Sequence, residues 1–327
     1  MNQEKKNEML REIENFSKKR VLVLGDAIVD EFVYGKPFGR SLDSPETKKI
    51  LYERAVYFLG GAGNVAKNLL ELGAEVCFFT VLGNDQFASH YLTWKNPKLK
   101  LYAFVENNRE TIVKSRYADN ENRLLELERL DFKDLGKDTE DKIIESVKNE
   151  IRKVDVIILQ DQGHGFFSKH LIERLKDTIG KTNLKVLVNS QTYLRGPNHL
   201  DYRGFHTIFV NLDEAKALNK DFELGKNEQI LNEMLESNIC LTLGDKGVIL
   251  LKKDKKYYSP SIPVKAVDTC GAGDSFMSAF SISNFESDPD LALKLGNIWA
   301  GLSTQKKGTE TPKISELKDY IKNAKGV

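Results

Sequence analysis

Short apolar runs with few polar interruptions recur along the chain: Val21-Leu22-Val23-Leu24, then residues 76–82, 154–159, 186–188, 207–210 and 239–243. A strand covered on one face alternates apolar with polar side chains. A continuous apolar run instead predicts a strand buried on both faces, as in a parallel sheet. Between several of these runs lie segments whose apolar residues recur at helical spacing, at 65–72, 139–153 and 169–179. Strands alternating with helices predict βαβ units, and so an α/β protein with a doubly wound, mainly parallel sheet flanked by helices. Upstream, Met9, Leu10, Ile13 and Phe16 share one face of a charged segment, which predicts an amphipathic helix docked on the body.

Residues 46–58 and 99–130 break this alternation. They are rich in β-branched, aromatic and charged residues, with partial period-two patterning in Thr111-Ile112-Val113-Lys114-Ser115-Arg116-Tyr117. That pattern predicts strands exposed on one face. The chain therefore reads as one domain over 1–327, with the strands of a small β lid inserted at about 34–58 and 99–131. Such a sheet serves as a lid, as a dimer surface, or as a plain peripheral hairpin, and pattern alone does not separate these.

Composition bears on partners more than on fold. With 49 Lys and Arg against 48 Asp and Glu, the net charge is +1. No global field recruits nucleic acid or an anionic membrane, so the expected partners are small molecules. Cys77, Cys240 and Cys270 are odd in number and widely spaced. They fit neither a disulfide framework nor a thiolate metal cluster and favour a reducing compartment. The first residues lack the apolar run of a signal peptide, and no later segment reaches membrane-spanning length, so the cytoplasm is the expected location.

The candidate chemistry concentrates at Val267-Asp268-Thr269-Cys270-Gly271-Ala272-Gly273-Asp274-Ser275-Phe276, which precedes a helical segment. Gly271 and Gly273 let the backbone turn without a Cβ in the way, so that successive N–H groups point into one concavity at a helix start. Such a site attracts phosphate through unpaired donors and the helix dipole. A carboxylate at Asp274 would repel the phosphate beside it if binding were its only task. It makes sense as a general base that takes a proton from a hydroxyl while the donors stabilise a transferring phosphoryl group. The plain alternative is a glycine-rich turn with Asp274 as a helix cap.

The string D-T-C-G-A-G-D resembles the D-T-x-G-A-G-D signature of the ribokinase/PfkB sugar kinases, and the similarity extends over nearly the whole chain. The resemblance implies an ATP- and Mg²⁺-dependent kinase in which Asp274 is the base and the amides of Gly271, Ala272 and Gly273 form the anion hole. Cys270 falls at the variable position and reads as packing. Asp26 and Asp30 match the family's first strand, where an acidic residue holds sugar hydroxyls; a carboxylate accepts two such donors at once. Gly60-Gly61-Ala62-Gly63-Asn64 looks like the G-G-x-x-x-N signature, with Gly60 and Gly61 allowing close approach of the sugar and Asn64 both donating and accepting. A helix starting near Asn64 is the plain reading of that segment. Asn211 and Glu214 match the N-x-x-E motif of the nucleotide and Mg²⁺ environment, the metal being reached through water; as local structure they read as a capping box. Thr242, Gly244 and Gly247 resemble the nucleotide loop, or else a simple hairpin turn. The resemblance also implies a homodimer through the exposed lid strands.

The substrate is less defined. Lys114 and Arg116, two apart on a strand, can hold the existing phosphate of a substrate, or be part of a solvated surface. The segments 111–117 and 124–131 look like the strand pair of the family's heptose 7-phosphate kinases, with Arg40, Lys48 and Arg54 as further cations for the same pocket. Asp161 and Asn189 end apolar strands, where ligands bind in doubly wound sheets. His164 either touches substrate or is simply tolerated in its glycine-rich loop. The segment 160–165 and the segment Val188-Asn189-Ser190-Gln191-Thr192 depart from the usual heptose kinase, so another sugar or sugar phosphate stays open. No H-x-G-H nucleotidyltransferase signature occurs in the chain. A nicotinamide dehydrogenase would need G-x-G-x-x-G after the first strand, and a P-loop kinase G-x-x-x-x-G-K-[ST]; neither occurs. The non-enzyme alternative is a sugar or nucleotide sensor on a kinase fold.

Overall fold

The computed structural model describes residues 3–119, 122–191 and 197–324. Its strands are β1 (Arg20–Gly25), β2 (Ala27–Arg40), β3 (Lys48–Gly61), β4 (Glu75–Gly83), β5 (Leu99–Glu106), β6 (Ile112–Asp119), β7 (Asn122–Arg129), β8 (Val156–Asp161), β9 (Lys185–Ser190), β10 (Thr207–Asn211), β11 (Asn238–Thr242), β12 (Val248–Lys252) and β13 (Lys255–Ser259). Nine form a twisted main sheet in the order β13-β12-β11-β10-β9-β8-β1-β4-β5. It is parallel from β11 to β5, and β12 alone is reversed, pairing antiparallel with both β11 and β13.

The sheet shows why its strands read as continuous apolar runs. In β1, Val21 and Val23 enter the core on one face while Leu22 and Leu24 enter the core on the other. Helices Gln3–Phe16, Ala62–Glu71, Ala272–Ile282, Pro289–Ser303 and Ile314–Asn323 bury their apolar sides in the first core. Helices Lys137–Glu150 and Lys169–Ile179 cover the second, together with Ala215, Leu231 and Leu235. No helix among the described residues is long and apolar enough to cross a membrane.

Two expectations need correction. The lid is a four-stranded sheet in the order β3-β2-β6-β7. Its first strand starts at Ala27, upstream of the expected boundary near 34. Residues 27–33 are almost all buried, so their pattern carries no exposed face to mark them as lid. Conversely, Leu99–Glu106 pairs with β4 as the parallel edge of the main sheet and is no part of the lid. An edge strand is half-covered, and so it carries the same partial alternation as a lid strand.

Candidate active site

The C-terminal ends of β8, β9, β10 and β11 meet the start of helix Ala272–Ile282: Gln160 reaches Asp274, and Asn189, Asn211 and Thr242 line a cleft with residues 271–274. Gly271 makes the turn into that helix with φ of +74°, a left-handed conformation that favours glycine. A Cβ there would lie 2.5 Å from Asn64 Nδ2. Asp268 organises the turn: its Oδ1 accepts from the Cys270 N–H at 3.0 Å and its Oδ2 from the Gly308 N–H at 3.2 Å.

Asp274 lies in the first turn of the helix and is buried. Asn64 Nδ2 donates to its Oδ2 and Gln160 Nε2 to its Oδ1, each at 2.9 Å. Burial pushes its carboxyl up to about 7; the Asn64 and Gln160 donors oppose that rise and nearby Asp30 adds to it. No Lys or Arg pairs with it among the described residues. The group is thus a weakly acidic carboxyl that can accept a proton near neutral pH.

On one side of Asp274 is a cleft of about 280 Å³, lined by Asn189, Asn211, Glu214, Thr242, Thr269 and residues 271–274. A second cleft, of about 450 Å³ and without Asp274 in its lining, lies between the lid and the 267–268 and 307–308 segments, lined by Phe32, Tyr34, Arg116, Arg123, Asp268 and Lys307 among others. Asp30 lines neither cleft; it is buried at 4 % exposure, with Arg116 Nη1 2.6 Å from its Oδ1. Burial raises its carboxyl pKa, and the Arg116 guanidinium opposes that rise. Gly60 is required here because a Cβ would meet Asp30 Oδ2 at 2.3 Å.

Residues 18–316 match the profile of the pfkB family carbohydrate kinases. The chain belongs to the pfkB family of carbohydrate kinases. It is 29 % identical to the Bifunctional protein HldE of Aliarcobacter butzleri, an alignment covering 93 % of this chain and 64 % of that protein. It is also 29 % identical to the Bifunctional protein HldE of Sulfurimonas denitrificans, over 92 % of this chain and 64 % of that one. The chain thus spans less than two thirds of the length of these relatives. Among solved structures, ribokinase from Thermotoga maritima superposes with a TM-score of 0.72 at 24 % identity, covering 93 % of this chain and 100 % of that one. Arabidopsis thaliana ribokinase complexed with ribose and ATP gives 0.73 at 19 % identity, over 94 % and 99 % of the two chains. These last two likenesses establish the fold. As a pfkB kinase the protein is a phosphotransferase with an alcohol group as acceptor, from an ATP-using family.

Against this kinase frame the expected residues divide. Asp274 and the rest of the 271–274 turn line the first cleft with Asn189, Asn211 and Thr242, Arg116 lines the second, and Asn64 and Asp30 join them through hydrogen bonds to Asp274 and Arg116. Ala272 is a correction: its N–H donates to Thr269 O at 3.2 Å, which closes the turn. The N–H groups of Gly271 and Gly273 make no such backbone bond outside regular structure among the described residues. Asp26 is another. Its carboxylate accepts from the backbone N–H groups of Gln162 (2.9 Å), His164 (3.4 Å) and Phe166 (3.2 Å), so it holds the 162–166 loop instead of facing the clefts. Asp161 is tied to Tyr202 Oη at 2.7 Å and the Gly163 N–H at 2.8 Å, and it lines a separate cleft of about 690 Å³ with Gly163, Phe167, His170 and Asn198, not either of the two above. Gly61 meets its own chain: a Cβ would lie 2.5 Å from Asp26 O, and it caps the helix that starts at Ala62, two residues before Asn64.

Lys114 pairs with Glu128 at 3.3 Å, and Arg116 with Glu126 at 3.0 Å as well as with Asp30, so neither cation lacks a counter-charge. Arg40 lies near the hairpin tip beside Glu46, and Arg54 stacks on Tyr34. Asn211 and Glu214 form the capping box in full, at 2.9 and 2.8 Å, and both still line the cleft. Gly244 and Gly247 shape the β11–β12 turn at φ of +61° and +99° without lining the cleft. Burial pushes the Cys270 thiol up to about 12, which keeps it neutral, as packing requires. Burial pushes His164 down to about 4, so it is a neutral ring. Thr192 lies outside the described residues. Sequence reasoning did not assign roles to Gln160, Thr309, Arg123 or Lys307. Gln160 carried one signal, its place at the C-terminal end of a parallel strand.

Proposed function

We propose that this kinase transfers the γ-phosphoryl group of Mg·ATP to a hydroxyl of a sugar phosphate, with heptose 7-phosphate the favoured acceptor and a heptose 1,7-bisphosphate, a precursor for nucleotide-heptose and surface polysaccharide, the product. The observation that carries the reading is the position of Asp274, a buried carboxyl pushed up to about 7, on the lining of the amide-rich cleft and beside Asp30, whose partner Arg116 lines the lid cleft. Asp274 accepts the proton of the acceptor hydroxyl. The hydroxyl oxygen bonds to the γ-phosphorus, the bond from phosphorus to the β–γ bridging oxygen breaks, and that oxygen leaves with ADP. The N–H groups of Gly271 and Gly273, at the positive end of the helix, stabilise charge on the transferring group.

Asp30 and Asn64 orient the sugar. Asn189, Asn211 and Thr242 border the nucleotide. Among the described residues no group of three or more acidic, His or Cys side chains gathers as a metal site. One oxygen of Glu214 and the oxygen of Asn211 are used by the capping box. Mg²⁺ bound with the ATP phosphates would be held here by the other Glu214 oxygen through water, a fit for a cation that keeps much of its hydration. The standing phosphate of the substrate falls to Arg123 and Lys307 in the lid cleft instead of Lys114 and Arg116. Arg123 has only loose contacts, 3.8 Å to Glu126 and 3.9 Å to Asp268, and Lys307 has no ion pair among the described residues. The relatives named Bifunctional protein HldE support a heptose substrate. The outer lid face exposes Tyr57, Leu125 and Leu127, which supports a homodimer in the cytoplasm, closed through that face.

The test is ADP release from Mg·ATP against a panel of sugars and sugar phosphates that includes heptose 7-phosphate. Turnover on a phosphorylated heptose, and not on its dephosphorylated form, is the expected result. Turnover on a neutral sugar alone would overturn the sugar-phosphate assignment. Silence across the panel, with ATP bound, would favour a sensor on this fold.

A further inference from the structure

The donor on Asp274 Oδ2 is held by further buried groups, and the direction of that chain is set at its far end. Trp299, in helix Pro289–Ser303, is fully buried, and its indole N–H donates to Asn68 Oδ1 at 2.7 Å. An indole nitrogen can only donate, so the oxygen of Asn68 must face it and the Asn68 amide nitrogen must face away. That nitrogen donates to Asn64 twice, to its backbone O at 2.8 Å and to its Oδ1 at 3.1 Å. The oxygen of Asn64 is thereby occupied, and its nitrogen is what reaches Asp274 Oδ2 at 2.9 Å. We propose that Trp299 and Asn68 are positioning residues for the catalytic base: they hold the Asn64 amide in the orientation that donates to Asp274. This rests on the assignment of Asp274 as the base.

Turning an asparagine amide by half a revolution exchanges nitrogen and oxygen with little change of shape. What holds one orientation is the accumulated cost of unmade bonds. With Asn64, Asn68 and Trp299 at 2 %, 1 % and 0 % exposure, water cannot make good a lost partner. A flipped chain would set the Asn68 NH2 against the indole N–H and the Asn64 oxygen against the carboxylate, leaving donors and acceptors unsatisfied at once. The donor on the other oxygen differs. Gln160 Oε1 accepts from Asn189 Nδ2 at 3.2 Å, and Asn189 is half-buried on the nucleotide cleft, so that arm ends where a ligand can rearrange it. Only the Trp299 arm is closed.

The groups that face Asp274 are Asp30, whose charge raises its carboxyl, the neutral Cys270 thiol, and the amides of Asn64 and Gln160. Arg116 stands behind Asp30. With no cation on the carboxylate, side-chain N–H donors are what oppose the effect of burial. Loss of the Asn64 donor raises the carboxyl further, and a protonated Asp274 cannot take the hydroxyl proton.

Trp299→Phe keeps the aromatic body and removes the N–H. The expected result is an acid limb of the kcat/KM profile shifted up by about one pH unit, with kcat/KM about tenfold down at pH 6 and near wild type well above the limb. Phe280→Leu, a loss of volume in the same core, lowers Tm and leaves the limb in place. Should Trp299→Phe not fold, Asn68→Leu carries the same test, since it removes both the acceptor of the indole and the donor to Asn64. An unmoved limb, with only the loss of Tm seen in Phe280→Leu, would make the chain mere packing and overturn the proposal. Retained turnover in Asp274→Asn is a separate result, and it would instead remove the base assignment beneath it.

Discussion

The two ends of the active-site cleft handle charge differently. Around residues 271–274 the lining is Asn189, Asn211, Thr242, unspent backbone N–H groups and the carboxylates of Glu214 and Asp274, with no Lys or Arg. At the lid end Arg116, Arg123 and Lys307 stand among Asp30, Glu126 and Asp268. Fixed dipoles suit a group that arrives, changes charge distribution and leaves within each turnover, because no counter-ion has to be released with it. Ion pairs suit a charge that stays constant through the reaction, such as a phosphate already on the substrate. On this account the nucleotide end carries rate and the lid end carries substrate affinity and stability.

The comparison can be broken from the lid end first. Arg116→Met leaves Asp30 buried without its counter-charge at 2.6 Å. The expected loss is about 3–5 kcal/mol of stability, read by thermal or urea unfolding. A loss below about 1 kcal/mol would mean that solvent screens the pair. At the nucleotide end, Gly271→Ala forces a Cβ into a left-handed position 2.5 Å from Asn64 Nδ2. We expect kcat to fall about 10²-fold with sugar KM little changed, since the change strikes the anion hole and the donor to the base.

The third prediction concerns pH. Asp274 is an ordinary carboxylic acid when unfolded, with a pKa near 3.8, and is raised to about 7 when folded, mostly by burial. A raised carboxyl contributes its stability fully below the unfolded value and loses it as pH rises through the folded one. Stability from this group therefore declines between about pH 4 and pH 7. Asp274→Asn cannot ionise, so its Tm should exceed that of the wild type at pH 8 and match it at pH 4; equal values at both would contradict the shift. The smallest effect belongs to an exposed cation: Lys307→Ala should raise KM for the sugar phosphate about threefold to tenfold, leave kcat unchanged and weaken the salt dependence of KM.

The same contrast explains what could be read before the structure. Main-sheet strands such as β1 are buried on both faces by different cores, and their unbroken apolar runs announce that directly. The lid depends on register. Arg116 looks like a free surface cation in one dimension; its partners Asp30 and Glu126 come from neighbouring strands. The turn into helix Ala272–Ile282 was legible because its glycines and Asp274 are contiguous. Gln160, Thr309 and Trp299 were not, because their contacts to Asp274, Asp30 and Asn68 span 114, 279 and 231 residues. Asp26 misled for a related reason: an acid at a strand end signals a ligand site equally well when its partners are three backbone amides.

The central claim is that Asp274 takes the proton of the acceptor hydroxyl beside a preformed anion site. Its most direct test is single-turnover ADP formation by wild type and Asp274→Asn on the best sugar phosphate of the panel, with ATP affinity measured by calorimetry on both. The account predicts a rate lower by about 10²–10⁴-fold in the variant with ATP affinity nearly unchanged. Near-normal turnover in Asp274→Asn would contradict it.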